Sequence, residues 1–224
     1  LGRVLDTLDD TGLSQNTVVV FTSDHGEMLN SHGTRGKMIY YDESVRIPCL
    51  VRWPGMVPEN TISDACISNV DFLPTLLGLV GLEHPDPASL QGMDLSHSAR
   101  GEAGPEPEGA MLVSYSGYEG FHRGWEYRGV RTKRWTYVRS LVELFRWYGG
   151  WGENDEFGRE PEVHLFDNLN DPLQTTDLGR DPAYANVRRE CEEIVRRYLE
   201  RTGDEFLPGP EYGQRYNENW ELIR

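Results

Sequence analysis

The apolar residues of this chain fall into distinct patterns, and each predicts a different element. Two continuous runs, Val18 to Phe21 and Ile47 to Val51, show no polar alternation. Unbroken runs of this length predict strands buried on both faces. Leu1 to Leu13 instead repeats at helical spacing, with Val4, Leu5 and Leu8 on one face and Gly12 as a C-cap. A turn at Asn16 leads from this helix into the first strand. Helix, turn and buried strand make half of a βαβ unit, whose opening strand would precede Leu1. Pro48 biases Ile47 to an extended conformation, and Trp53-Pro54-Gly55 ends the second run with turn chemistry. Ile62 to Ile67 predicts a further short strand. Asp71 is a good N-cap for a helix through about Leu79, with Pro74 in its first turn and Gly81 at its exit. Phe72, Leu73, Leu76, Leu77 and Val80 cover much of that helix, so it should pack deeply.

Glu83 to Gly109 is rich in Pro, Gly, Asp and Glu and marks the best internal boundary. Beyond it the periodicity changes. Met111 to Tyr115, Tyr127 to Thr132, Trp135 to Arg139 and Val163 to Phe166 read as short strands, with Lys133-Arg134 as a hairpin turn. Closely spaced strands without intervening helices predict an antiparallel sheet. The stretch from Ser140 to Pro161 carries Trp147, Tyr148, Trp151 and Phe157, as a substrate cleft or a surface flap would. Asp171-Pro172 forms a turn. Tyr184 to Glu200 places Val187, Cys191, Ile194, Tyr198 and Leu199 at helical spacing and should pack on the sheet. The polar tail after Thr202 should wrap the surface. The pattern therefore predicts an α/β part at residues 1–109 and an α+β part, an antiparallel sheet plus a helix, at 110–224.

Composition narrows this picture. Hydrophobic residues are 38% and charged residues 26% of the chain, a globular rather than a disordered balance. No apolar run approaches the roughly 20 residues that span a bilayer. The formal net charge of −15 argues against nonspecific nucleic-acid binding, which depends on Lys and Arg neutralising phosphates. An anionic ligand would have to be drawn by local cations rather than by the overall field. The 3 cysteines are odd in number and widely spaced, so they predict free thiols rather than a disulfide framework or a C-x-x-C metal pair. The chain opens on Leu1 rather than Met and reads as a fragment edge, so a missing signal peptide says nothing about compartment, which the sequence leaves unknown.

The chemistry gathers between the two apolar runs. Asp24 and His25 follow the first strand without a gap, and ligands of open α/β sheets sit at the carboxyl ends of strands. Neighbouring residues can both reach one cation where the backbone turns, and Gly26 allows the turn. A carboxylate suits a hard cation such as calcium, whereas an imidazole shifts the preference toward zinc or manganese. The residues alone leave the metal open. His32 and Arg35 flank Gly33 and Gly36 in a loop without periodicity, where either lines a pocket or meets solvent. Lys37 follows Gly36, whose backbone freedom lets a long cation reach inward. Tyr40 and Tyr41 read as packing residues, and Arg46 as a structural ion-pair partner.

Several stretches together resemble the sulfatase family of the alkaline phosphatase superfamily. They are T-S-D-H-G-E after a hydrophobic strand, H-G-x-x-G-K, Y-x-E-S-V-R-I-P and R-W-P-G, followed by Ser68 to Leu77, Gly129 to Thr132 and His164 to Pro172. The resemblance covers the first residues to about Leu178 and is similar only to the C-terminal part of such an enzyme. It implies part of an alkaline-phosphatase-like α/β core, with Leu90 to Leu95 as a hydrophobic anchor, followed by the small antiparallel sheet and a C-terminal helix. It implies a divalent cation, usually calcium, on Asp24 and His25, and a sulfate oxygen on Lys37. It implies a small-molecule or glycan sulfate ester as substrate. The family's nucleophile is a formylglycine made within C-x-P-S-R or S-x-P-x-R, and neither motif occurs in this chain; the resemblance expects it in an N-terminal segment. Phosphatases and phosphonate monoester hydrolases of the same superfamily, or a non-catalytic fragment, are the alternatives. An inner strand stripped of its neighbours would also favour self-association through the uncovered core edge.

Overall fold

The computed structural model describes residues 1–37, 39–114, 127–140 and 162–206. In chain order the elements are α1 (Gly2–Asp10), β1 (Val19–Thr22), α2 (Asp42–Val45), β2 (Cys49–Arg52), α3 (Phe72–Val80), α4 (Ser96–Ala99), β3 (Ala110–Ser114), β4 (Tyr127–Arg131), β5 (Trp135–Ser140), β6 (Glu162–Asp167) and α5 (Ala185–Thr202). They group into two compact units. The first holds Leu1–His25 and Ile47–Glu108; the second holds Gly26–Arg46 and the described residues from Gly109 onward.

In the first unit, β1 and β2 pair antiparallel, with Val19 opposite Arg52 and Thr22 opposite Cys49. The apolar runs form strands, but not strands buried on both faces. Phe21 is 43% and Leu50 56% exposed, because this ladder has two strands and no third beside it among the described residues. Arg52 ties β2 back to α1 by donating to Asp9 Oδ1 at 2.8 Å, and Trp53 Nε1 donates to the Gln15 carbonyl at 3.0 Å. Ile62 to Ile67 forms no strand: it has no ladder neighbour among the described residues, and Ile62 stands almost fully in solvent. Helix α3 starts at Phe72, directly after Asp71 as expected, but the Asp71 side chain makes no cap bond to it. Ser68 closes a capping box with Asp71 across a 3-10 turn, Asn69–Asp71, so the buried Asp71 caps nothing in α3 itself. Its carboxylate instead accepts from Ser68 N at 2.7 Å and Met93 N at 2.8 Å. Gly81 ends α3 in the left-handed region. The segment around Leu95 packs on α3: Leu95 N donates to Thr75 Oγ1 at 3.0 Å, and its side chain is buried.

The second unit is built on the sheet β3-β4-β5-β6, antiparallel throughout. Successive side chains of a strand point to opposite faces, and here both faces are covered. Val130, Tyr137 and Leu165 pack with Cys191 and Val195 of α5. Leu112, Tyr127, Val138 and Phe166 pack on the other side with Met28, Ile39, Tyr40 and Tyr41 of the loop that precedes β2. The hairpin expected at Lys133-Arg134 joins β4 to β5, closed by Thr132 N donating to the Trp135 carbonyl at 2.8 Å. The strand expected to reach Tyr115 is described to Ser114; the aromatic stretch at 141–161 and the tail beyond 206 lie outside the described residues.

Charged groups fasten this sheet at its ends. Arg128, 2% exposed, donates to Asp204 Oδ2 at 2.6 Å and to the Ser114 and Tyr127 carbonyls, with its guanidinium over the Phe206 ring. Arg134 grips both oxygens of Asp167, at 3.0 and 2.6 Å. That fork holds the Asp167 carboxyl down to about 2, helped by Asn170. A folded-state value below the unfolded one adds stability above the usual carboxylate range and loses it as pH falls toward 2. Thermal unfolding followed from pH 5 to 2 should therefore show wild type losing its advantage over Asp167→Asn, with the two melting temperatures converging at the acid end.

Candidate functional site

Asp24 and His25 sit where β1 stops, two and three residues past Thr22. Their side chains converge: Asp24 Oδ2 lies 3.3 Å from His25 Nε2. Asp24 Oδ1 accepts from the His25 backbone N–H at 2.9 Å and from Ser23 Oγ at 3.2 Å. The His25 N–H is the largest reason the Asp24 carboxyl lies below its ordinary value, so it is ionised and ready to bind a cation. Two ligands at about 2.1–2.4 Å from one ion stand roughly 3–3.5 Å apart. The 3.3 Å separation fits that spacing, and it equally fits a direct ion pair when His25 is protonated. No group of three His, Cys, Asp or Glu side chains able to hold a metal occurs among the described residues. The pair therefore fits part of a coordination shell and does not close one.

Lys37 belongs to the second unit, exposed at the end of a tightly bound loop. From Leu29 to Gly36 the backbone takes positive φ at Leu29, Asn30, His32, Gly33 and Gly36. The loop is closed at its neck. Glu27 Oε1 accepts from Gly36 N at 2.6 Å, and Met28 N donates to the Gly36 carbonyl at 2.8 Å. Arg35 Nε donates to Asn30 Oδ1 at 2.7 Å inside it. His32, open between pocket and solvent in the sequence, stacks on Tyr41 at 3.7 Å and lies 3.7 Å from Glu43. Beyond Lys37 the chain is anchored on the sheet. Asp42 holds Arg131 at 3.0 and 3.1 Å, and its backbone N–H donates to the buried Gln174 Oε1 at 2.7 Å. Arg46 pairs with Asp42 at 3.9 Å as a peripheral, exposed contact. Tyr40 and Tyr41 are core residues as expected; burial pushes the Tyr41 phenol up to about 12, which keeps it protonated.

Gly26 has a different role from the turn residue expected. It has no positive φ; a Cβ there would stand 1.9 Å from the Glu43 carbonyl oxygen. Its own N–H donates to the Ser44 carbonyl at 2.8 Å, so the residue after His25 lies flat against α2. No disulfide joins Cys49, Cys66 and Cys191. Surrounding atoms push the Cys49 thiol up, and burial raises Cys191 to about 11, which leaves neither as a ready thiolate. An open groove of about 630 Å³ in the first unit is lined by Cys49, Arg52, Trp53 and Ser98 among others; Asp24 and His25 do not line it.

Comparison with known proteins gives this arrangement a context. The model of the sulfatase family matches residues 1–82. An ulvan-active sulfatase from Formosa agariphila is 32% identical over 97% of this chain and 39% of its own length. The chain belongs to the sulfatase family. A protein solved in complex with its substrate, D-glucosamine-2-N,6-O-disulfate, matches with a TM-score of 0.73 and 26% identity over 93% of this sulfatase-family chain and 39% of its own. A phosphonate monoester hydrolase from Silicibacter pomeroyi matches with a TM-score of 0.67 and 26% identity, over 92% and 39%. The chain thus spans about two-fifths of the relatives it matches. The alkaline-phosphatase-like α/β segment followed by an antiparallel sheet and helix is the fold expected from the motifs. No helix among the described residues is long and apolar enough to cross a membrane.

The close approach at Gly26 has a direct consequence. Gly26→Ala must displace backbone on one side or the other, a change of the overpacking kind that costs about 1–3 kcal/mol. Chemical denaturation should show that loss, and hydrogen exchange should show faster turnover at the amides of Gly26 and Glu27.

Proposed function

We propose that this chain carries the cation-binding pair and the sulfate-contacting lysine of a sulfatase that hydrolyses sulfate esters of a small molecule or glycan. The observation supporting this most directly is the convergence of Asp24 and His25 immediately past β1, at a spacing that suits two ligands of one ion. Asp24, His25 neutral at its donor nitrogen, and ligands from outside this chain would hold a divalent cation. Calcium is the family's usual choice; manganese and zinc also suit the carboxylate–imidazole set. When bound, that cation polarises an ester oxygen and offsets negative charge. Lys37 would add a point charge on a sulfate oxygen, an interaction that strengthens as charge develops in the transition state. The chain contains no C-x-P-S-R or S-x-P-x-R motif, so this reading takes the formylglycine nucleophile from sequence N-terminal to Leu1.

The names of the relatives support a sulfated glycan as substrate class: one acts on ulvan, and another was solved with a disulfated glucosamine. Phosphate or phosphonate ester hydrolysis is the second reading, favoured by the likeness to a phosphonate monoester hydrolase. The exposed Phe21 and Leu50 on an open two-stranded ladder also support self-association of the chain when it is produced alone.

The test uses the protein expressed with whatever sequence precedes Leu1 in its reading frame, assayed on an aryl sulfate, a sulfated glucosamine and a phosphonate monoester. Asp24→Ala and Lys37→Ala should each lower kcat/KM on sulfate esters by about 100-fold or more. Chelation should abolish activity, and a divalent ion should restore it in wild type only. An unchanged rate in Asp24→Ala defeats the metal assignment, and a preference for the phosphonate replaces the first reading by the second.

A further inference from the structure

We infer that Glu27 is a positioning residue for Lys37: its carboxylate clamps the loop from Met28 to Gly36 shut and so fixes the point from which the lysine leaves the backbone. This rests on the reading of Lys37 as the sulfate contact.

The geometry is local and specific. Glu27 Oε1 accepts from the backbone N–H of Gly36 at 2.6 Å, the residue immediately before Lys37. That is a charge-assisted bond, shorter and stronger than a neutral one. Glu27 is itself fixed, since its own N–H donates to the Glu43 carbonyl at 2.8 Å while Gly26 N donates to Ser44. Tracing outward, α2 holds the backbone of residues 26–27, Glu27 holds Gly36, and Gly36 carries Lys37.

The clamp acts on a loop of unfavourable backbone conformation. Five of its residues have positive φ, and three of them, Leu29, Asn30 and His32, have side chains. A non-glycine residue in that region is strained, and such strain persists only where surrounding contacts impose it. Leu29 is 79% exposed, so no packing of its side chain repays its conformation. The two bonds that close the neck, Glu27 to Gly36 and Met28 to Gly36, act together with the turn bonds from Ser31 N to the Met28 carbonyl and from Thr34 N to the Ser31 carbonyl, and with the stacking of His32 on Tyr41. A lysine has four rotatable bonds and a mobile ammonium. Fixing the backbone at the preceding residue limits the volume that ammonium samples. Misplacement by about 1 Å can cost a factor of 100 in rate.

A double-mutant cycle in the same expressed protein tests this, with kcat and KM measured separately on a sulfate ester. Glu27→Ala should lower kcat/KM by about ten- to a hundredfold. It should have little further effect in the Lys37→Ala background, because a misplaced side chain cannot matter once removed. Glu27→Gln, which keeps an acceptor oxygen for Gly36, should recover most of the loss. Hydrogen exchange provides the readout independent of activity: the Gly36 amide should exchange faster in Glu27→Ala and close to the wild-type rate in Glu27→Gln. If Lys37→Ala is as active as wild type, the sulfate-contact reading falls and the positioning role with it. If Lys37→Ala is impaired but Glu27→Ala costs the same factor in both backgrounds, or leaves Gly36 exchange unchanged, the positioning role alone is overturned.

Discussion

The second unit depends on how the backbone from Gly26 to Arg46 is fastened to the sheet β3–β6. Asp42 provides the fastening. Its carboxylate meets the Arg131 guanidinium in a two-point fork, while its N–H is taken by Gln174, which is fully buried and also bonds Thr136 and Asn168. Buried polar groups are costly unless satisfied, and here each of these bonds satisfies a partner that the sheet would otherwise leave open. Tyr40 and Tyr41 then fill the space between the loop and Phe166. Charge, amide and aromatic contacts all hold the same short stretch.

This arrangement explains how a segment of irregular backbone keeps one shape. Asp24 and His25 follow β1 directly and inherit their direction from a strand. Lys37 has no strand behind it. The backbone leading to it is held by bonds inside the loop and by the anchoring of α2. The two solutions differ in robustness: a strand end is defined by its ladder, whereas a loop of left-handed residues is defined by a few bonds at its neck.

Much of the fold was legible in the sequence because it rests on local periodicity. The alternation in β5 and β6 and the helical spacing of Val187, Cys191 and Ile194 correspond to the faces that pack in the second unit. Asp24 and His25 are consecutive, so their adjacency needed no pattern to read. What was not legible depends on partners far along the chain. Asp42 and Gln174 are 132 residues apart, and no pattern in either neighbourhood announces the bond. Ile62 to Ile67 has the composition of a strand but no neighbour to pair with. Gly26 looked like a turn residue, yet what demands glycine is the Glu43 carbonyl pressed against it. The apolar runs promised two buried faces, a property that belongs to the surrounding sheet and not to the strand.

Tyr40 is completely enclosed, in contact with Tyr127, His164 and Phe166. Peeling the segment around it away from the sheet would uncover several aromatic rings at once. Such an opening belongs to the slow, rare events of partial unfolding rather than to the microsecond-to-millisecond swings of an active-site flap. The segment from Met28 to Tyr41 behaves as part of the core of this unit rather than as a flap on it.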